Sequence, residues 1–215
     1  MIIERFLYPV LRTAVVAGLL LLWLSLPVQA NERRILVLGD SISAAYGMSL
    51  EQGWVSLLAR QLADTEPPTG VINASISGET TTGGLRRLPD LLSEHAPSLV
   101  IIELGANDGL RGYPIKQLRA NLQNMVQLSR DSGAEVMLVA MEIPPNYGSR
   151  YTADFRDSYT EVARNTGSTL APFLLDGVAT DPALMQPDGI HPAVAAQPLL
   201  LQNILPSIHS ALARR

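Results

Sequence analysis

The run Ser98 to Leu104 (SLVIIEL) is apolar without alternation until it meets Glu103. A strand covered on one face alternates apolar and polar side chains, so an unbroken run points to a strand buried on both faces, as in a parallel sheet flanked by helices. Ile35-Leu36-Val37-Leu38, Val71 to Ala74, Glu135 to Met141 (EVMLVAM) and Ser168 to Phe173 read as four further strands. Between them the apolar period changes to three and four residues. Trp54, Val55, Leu57, Leu58 and Leu62 form one helical stripe, and Leu85, Leu88, Leu91 and Leu92 form another, which Pro89 is expected to weaken or bend. Ile115, Leu118, Leu122, Met125 and Val126 form a third, with Gly133 as a stop signal, and helices are expected over about Tyr151 to Asn165 and Ala193 to Leu212. Strand and helix alternating in this way predict a three-layer α/β/α domain, doubly wound around a mostly parallel five-stranded sheet. In such sheets ligands bind beyond the carboxyl ends of the strands, so the loops leaving each strand are where chemistry is sought.

The first thirty residues stand apart. Arg5 and Arg12 precede thirteen uncharged, mostly apolar residues, Ala14 to Leu26, and Pro27 is followed by Val28-Gln29-Ala30. This has the form of a secretory signal peptide with a small-residue cleavage site after Ala30. A retained membrane anchor is the alternative, but thirteen residues fall short of the roughly 20 that cross a hydrocarbon core. The expectation is therefore a signal peptide over residues 1–30, a single catalytic domain over 31–215, and membrane contact only before cleavage. Removing residues 1–30 takes away Glu4, Arg5 and Arg12, leaving 14 basic and 19 acidic residues.

Composition narrows the function. An apolar fraction of 47% with 17% charged residues suits a packed globule rather than a disordered chain. The net charge of −4 is the opposite of a nucleic-acid binder's basic footprint. Without cysteine there are no disulfides, thiolate metal sites or cysteine nucleophiles. Any imidazole chemistry must use His95, His191 or His209.

Four strand exits carry candidate residues. The first strand leads into Gly39-Asp40-Ser41-Ile42-Ser43. A serine between a strand and a helix mouth can present its N–H to a developing oxyanion, while Asp and Ser there also serve as ordinary helix caps. The second exit contains Gly78, which could approach a ligand closely or could simply supply turn freedom. The third, Gly105-Ala106-Asn107-Asp108-Gly109, offers the Asn107 amide as a donor, although Asn-Asp-Gly is ordinary turn chemistry. The fourth, Pro187-Asp188-Gly189-Ile190-His191-Pro192, places a carboxylate three residues before an imidazole. Asp188 can then receive the Nδ1 proton of His191 and leave Nε2 to take a hydroxyl proton. A metal bound by Asp40, Asp188 and His191 is a second reading, without the usual His-x-x-x-His spacing. His95 and His209 lie on amphipathic stretches with no carboxylate in comparable register.

Together these blocks resemble the SGNH, or GDSL-type, serine hydrolases: GDSIS at 39–43, SGET at 77–80, GANDG at 105–109 and DGIHP at 188–192, in the family's order. Ile42 stands where the family name expects Leu. The longer stretches ELGANDGLRG (103–112), IPPNYG (143–148) and QPDGIHP (186–192) are similar to the exported multifunctional thioesterase I/protease I/lysophospholipase group. The resemblance implies a flavodoxin-like sheet, Ser41 as nucleophile, His191 as general base, Asp188 as its partner, and an oxyanion hole from Ser41 N–H, Gly78 N–H and the Asn107 side chain. It also implies that the loops 108–114 and 143–150 flank an apolar acyl crevice, with Leu110, Tyr113, Ile143 and Tyr147 as wall residues or as ordinary packing. It implies no cofactor and no metal. The expected partners are small acyl esters, thioesters or lysophospholipids, with no nucleic acid, and the expected location is periplasmic. A carbohydrate-ester deacetylase of the same superfamily and a non-catalytic exported binding protein are the alternatives.

Overall fold

The structure, a computed structural model, describes residues 33–214, so the signal-peptide reading of residues 1–30 lies outside the described residues. Five strands form one sheet: β1 (Arg33–Gly39), β2 (Thr69–Asn73), β3 (Leu99–Glu103), β4 (Glu135–Val139) and β5 (Thr169–Ala171). Their order is β2-β1-β3-β4-β5 and every pairing is parallel, the flavodoxin-like arrangement. The chain leaves β1 toward one edge and returns at β3 to build the other half. The crevice between the exits of β1 and β3 is therefore the switch point.

Among the described residues six α-helices connect and cover the sheet: α1 (Trp54–Ala63), α2 (Thr81–His95), α3 (Ala106–Leu110), α4 (Ile115–Asp131), α5 (Ser149–Thr166) and α6 (Gln197–Leu212). The two-residue alternation of the strands sends Ile35, Val37, Leu99 and Ile101 to one face, where Trp54 and Leu58 of α1 and Leu200, Ile204 and Ile208 of α6 meet them. Leu36, Leu38, Val100 and Ile102 point the other way, against Leu88 of α2, Leu122 and Met125 of α4 and Phe155 and Tyr159 of α5. Each such fully buried aliphatic side chain contributes roughly 1.5–3 kcal/mol relative to exposure. Both faces are thus dry, as the unbroken apolar runs require.

Several local expectations shift. Pro89 sits inside an uninterrupted α2, whose Leu88 and Leu92 are buried against the sheet, so packing outweighs the lost hydrogen bond. The last helical segment divides into a 3₁₀ turn, Val194–Ala196, and α6 proper. The Asn-Asp-Gly turn beyond β3 is the five-residue helix α3. Among the described residues no helix is long and apolar enough to cross a membrane.

Candidate active site

The segment after β1 is built around close contacts. Gly39 pairs with Glu103 across the sheet, and a Cβ at Gly39 would lie 2.6 Å from Glu103 Oε2 and 2.7 Å from Ser43 Cβ. Only glycine leaves room for that carboxyl. Asp40 then turns the chain: its Oδ1 accepts the Ile42 N–H at 3.0 Å and its carbonyl accepts Ala44 N–H at 2.9 Å. No regular helix begins here, contrary to the helix mouth expected for Ser41. The backbone runs through consecutive turns, with Ala45 at φ +58°, and α1 starts only at Trp54. A left-handed residue four positions after Ser41 ends any helical ladder.

His191 reaches Ser41 from the other end of the chain. Its Nε2 lies 2.9 Å from Ser41 Oγ, and its Nδ1 lies 2.7 Å from Asp188 Oδ2. The remaining oxygen of Asp188 accepts the backbone N–H groups of Ile190 at 2.9 Å and His191 at 3.0 Å. Asp188 is thereby held well ionised: the His191 backbone bond first, then the His191 ring and the Ile190 N–H, lower its carboxyl from 3.8 to about 2. The supporting loop is braced by Gln186, whose Nε2 donates to Tyr46 O at 2.8 Å and to Pro192 O at 3.1 Å and whose N–H donates to His191 O at 2.7 Å. Gln186 thus ties the serine's segment to the histidine's. Tyr46 also stacks on the imidazole, ring centroids 4.2 Å apart.

Gly78 and Asn107 come from the next two strand exits. Gly78 accepts Arg111 Nη2 on its carbonyl at 3.1 Å, and neither its N–H nor that of Ser41 has a partner among the described residues. Asn107 lies in the first turn of α3, which Gly105 admits at φ +125°; a Cβ there would strike the Tyr159 hydroxyl at 2.1 Å. That hydroxyl donates to Leu104 O at 3.0 Å. Asp108 anchors the same helix to the start of α2, accepting Thr81 N–H at 2.9 Å and Thr81 Oγ–H at 2.6 Å. Asn107 Nδ2 donates to Asp40 Oδ2 at 3.3 Å. Ser41, Gly78, Asn107, His191 and Asp188 thus gather at the carboxyl end of the sheet.

A cavity of about 350 Å³ opens on the same side. Leu110 and Ile143 line it together with Ile42, Phe173, Leu174 and Met185; Tyr113 and Tyr147 do not. Tyr147 instead donates its hydroxyl to Leu110 O at 2.9 Å, and both tyrosines are exposed. One buried polar residue on the cavity wall escaped the sequence reading as a site residue. Glu103 is wholly buried, accepts Ser43 Oγ–H at 2.6 Å and Asp40 N–H at 3.3 Å on Oε2, and leaves Oε1 without a partner among the described residues. Burial first, and the neighbouring Asp40 second, push its carboxyl well above the ordinary range. Asp40, 1% exposed, is raised by burial from 3.8 to about 6, against the opposing Ile42 N–H bond. A lone carboxylate in an otherwise apolar strand was the signal available for Glu103. Among the described residues no group of three or more histidines and carboxylates is arranged to hold a metal ion.

A doubly wound parallel sheet with a Ser-His-Asp array at its switch point defines a class, the α/β proteins arranged like serine hydrolases. Comparison with known proteins makes this specific: the chain belongs to the GDSL-like Lipase/Acylhydrolase family, which matches residues 37–197. It is 50% identical over 202 residues to Esterase TesA of Pseudomonas aeruginosa, covering 94% of this chain and 100% of that protein. It is 43% identical over 166 residues to Thioesterase 1/protease 1/lysophospholipase L1 of Escherichia coli K12, covering 77% and 78%. A crystal structure of TesA superimposes with a TM-score of 0.81 at 52% identity, covering 83% of this chain and 99% of the other. That of the psychrotrophic esterase EstA from Pseudoalteromonas sp., inhibited by monoethylphosphonate, does so with a TM-score of 0.80 at 45% identity, covering 85% and 100%.

Proposed function

We propose that the protein is an exported serine hydrolase that cleaves carboxylic esters and thioesters of acyl chains through an acyl-enzyme on Ser41. The observation that carries this reading is the chain of contacts from Ser41 Oγ through His191, at 2.9 Å, to Asp188, at 2.7 Å. With Nδ1–H donated to the ionised Asp188, Nε2 is the free acceptor and takes the serine proton as Oγ attacks the acyl carbon. The tetrahedral oxyanion accepts Ser41 N–H, Gly78 N–H and the Asn107 amide. As it collapses, the C–O or C–S bond breaks and His191 returns the proton to the leaving alcohol or thiol. Water, deprotonated by the same Nε2, then releases the acid and restores Ser41. Esters and thioesters share the acyl carbon that is attacked, so one site serves both.

The apolar cavity beside this array supports an acyl chain as the recognised part, and the names of the relatives support aryl esters, acyl thioesters and lysophospholipids as substrates. A deacetylase of carbohydrates would want polar groups where Leu110, Ile143, Phe173 and Leu174 stand. Export rests on residues 1–30, read as a signal peptide removed after Ala30.

The test is a series of aryl esters from acetyl to dodecanoyl, with matching thioesters, on protein recovered from the periplasm. Longer acyl chains should be preferred to acetyl, Ser41→Ala should lower kcat by roughly 10⁴–10⁶-fold without unfolding the protein, and N-terminal sequencing should begin at Asn31. Full activity in Ser41→Ala, or turnover confined to acetylated sugars, would contradict the reading.

A further inference from the structure

We propose that Asp40 is a positioning residue for this reaction: its buried carboxylate decides which end of the Asn107 amide faces the oxyanion. The inference rests on the reading of Asn107 as an oxyanion donor and adds what holds that donor in place. An asparagine side chain presents a donor and an acceptor of nearly equal size, and nothing in its own shape selects between them. In the wrong orientation its carbonyl would oppose the developing negative charge instead of stabilising it.

The selection comes from two contacts of one carboxylate. Asp40 Oδ1 accepts the Ile42 backbone N–H at 3.0 Å, which pins the rotation of the carboxyl, because a backbone donor cannot exchange ends. Oδ2 is then directed at Asn107 and accepts one Nδ2 hydrogen at 3.3 Å. An ionised carboxylate only accepts, so the Nδ2 end of the amide must turn toward it, and the second Nδ2 hydrogen is left to donate elsewhere. The titratable groups set around Asp40 are Glu103 from β3, Asp108 from α3 and His191 from the loop before α6. Glu103 also braces the same residue from behind, accepting Asp40 N–H at 3.3 Å and Ser43 Oγ–H at 2.6 Å.

Keeping a charge in this position has a cost in stability. Burial raises Asp40 from 3.8 to about 6. A carboxyl whose folded value is raised stabilises the fold fully below its ordinary value and loses that contribution as the pH climbs through the raised one. Above about 6 the ionised Asp40 is therefore a burden on stability, while the amide orientation requires it.

Asp40→Asn separates the two roles. The substituted side chain can keep the Ile42 bond through its Oδ1, but this places its own NH₂ against Asn107. The Asn107 amide must then turn its carbonyl toward that NH₂, and the oxyanion donor is lost. Measured with a soluble aryl ester well above pH 6, Asp40→Asn should lower kcat by about 10²–10³-fold, as loss of one oxyanion donor does, with KM little changed. The double variant Asp40→Asn/Asn107→Ala should be no slower than Asn107→Ala, because both remove the same interaction. The Tm of Asp40→Asn should equal or exceed that of the wild type at this pH. If that variant does not fold, Asp40→Ser, whose hydroxyl can still receive the Ile42 N–H in a serine turn, should give the same kinetic pattern. Wild-type kcat in Asp40→Asn beside an impaired Asn107→Ala, or losses that multiply in the double variant, would overturn the positioning role alone. Wild-type kcat in Asn107→Ala would instead overturn the oxyanion reading of Asn107, and the positioning role with it.

Discussion

At the scale of single residues, the site depends on where volume is withheld as much as on where reactive groups are placed. Gly39 has no side chain, yet it fixes the distance between the segment bearing Ser41 and the buried carboxyl of Glu103. Gly39→Ala would push a Cβ to within 2.6 Å of Glu103 Oε2 and 2.8 Å of Ser43 Oγ. Overpacking of this kind costs typically about 1–3 kcal/mol, so thermal unfolding should show a lowered Tm, and kcat should fall because the Asp40-Ser43 turn must move. An unchanged Tm and kcat would show that the strand has room to spare. Ser41, Asp188 and His191 were legible in the sequence because each stands in a short block with its neighbours. Only Ser41 lies at a strand exit, whereas the Asp188–His191 block, expected at a fourth exit, lies in the long connection between β5 and α6. Gln186 and Tyr46 were not singled out. Their contact with each other spans 140 residues of sequence, a separation that no local pattern encodes, and the stacking of Tyr46 on His191 is equally remote. Glu103 was visible only as an interruption in an apolar run, and its raised carboxyl follows from full burial and the closeness of Asp40, which a linear reading does not contain.

At the scale of elements, the five strands and the long periodic helices were read correctly in kind, and the short helix α3 was not. The helices α1, α2 and α4 declare themselves because apolar residues recur along each at three- and four-residue steps. The helix α3, five residues long, shows no period and has a composition typical of a turn. It is held by tertiary bonds: Asp108 accepts two donors from Thr81, whose hydroxyl also accepts Asn121 Nδ2 at 2.9 Å. Asp108→Ala would leave the buried Thr81 N–H without its partner, at a cost of about 1–3 kcal/mol. Because α3 carries Asn107, activity per folded molecule should fall as well. Circular dichroism melting paired with active-site titration separates the two effects; a lowered Tm with full activity per folded molecule would mean that α3 keeps its place without the anchor.

At the scale of the whole molecule, strand order creates the site. Because β1 lies between β2 and β3, the exits of the first three strands open side by side and deliver Ser41, Gly78 and Asn107 to one crevice. The long connection after β5 then crosses back to bring Asp188 and His191 to it. The α/β alternation already implied this convergence, since a doubly wound sheet has its crevice where the order reverses. The cavity's membership was less legible, and Tyr113 and Tyr147 fall outside it because which loop residues turn inward is decided by packing among loops. The central claim, a covalent intermediate on Ser41, is tested most directly by labelling the folded protein with a fluorophosphonate and mapping the adduct by mass spectrometry. One adduct per chain on the peptide containing Ser41, absent in Ser41→Ala and slowed in His191→Ala, is the predicted result; no adduct on well-folded protein, or an adduct on another serine, would contradict it.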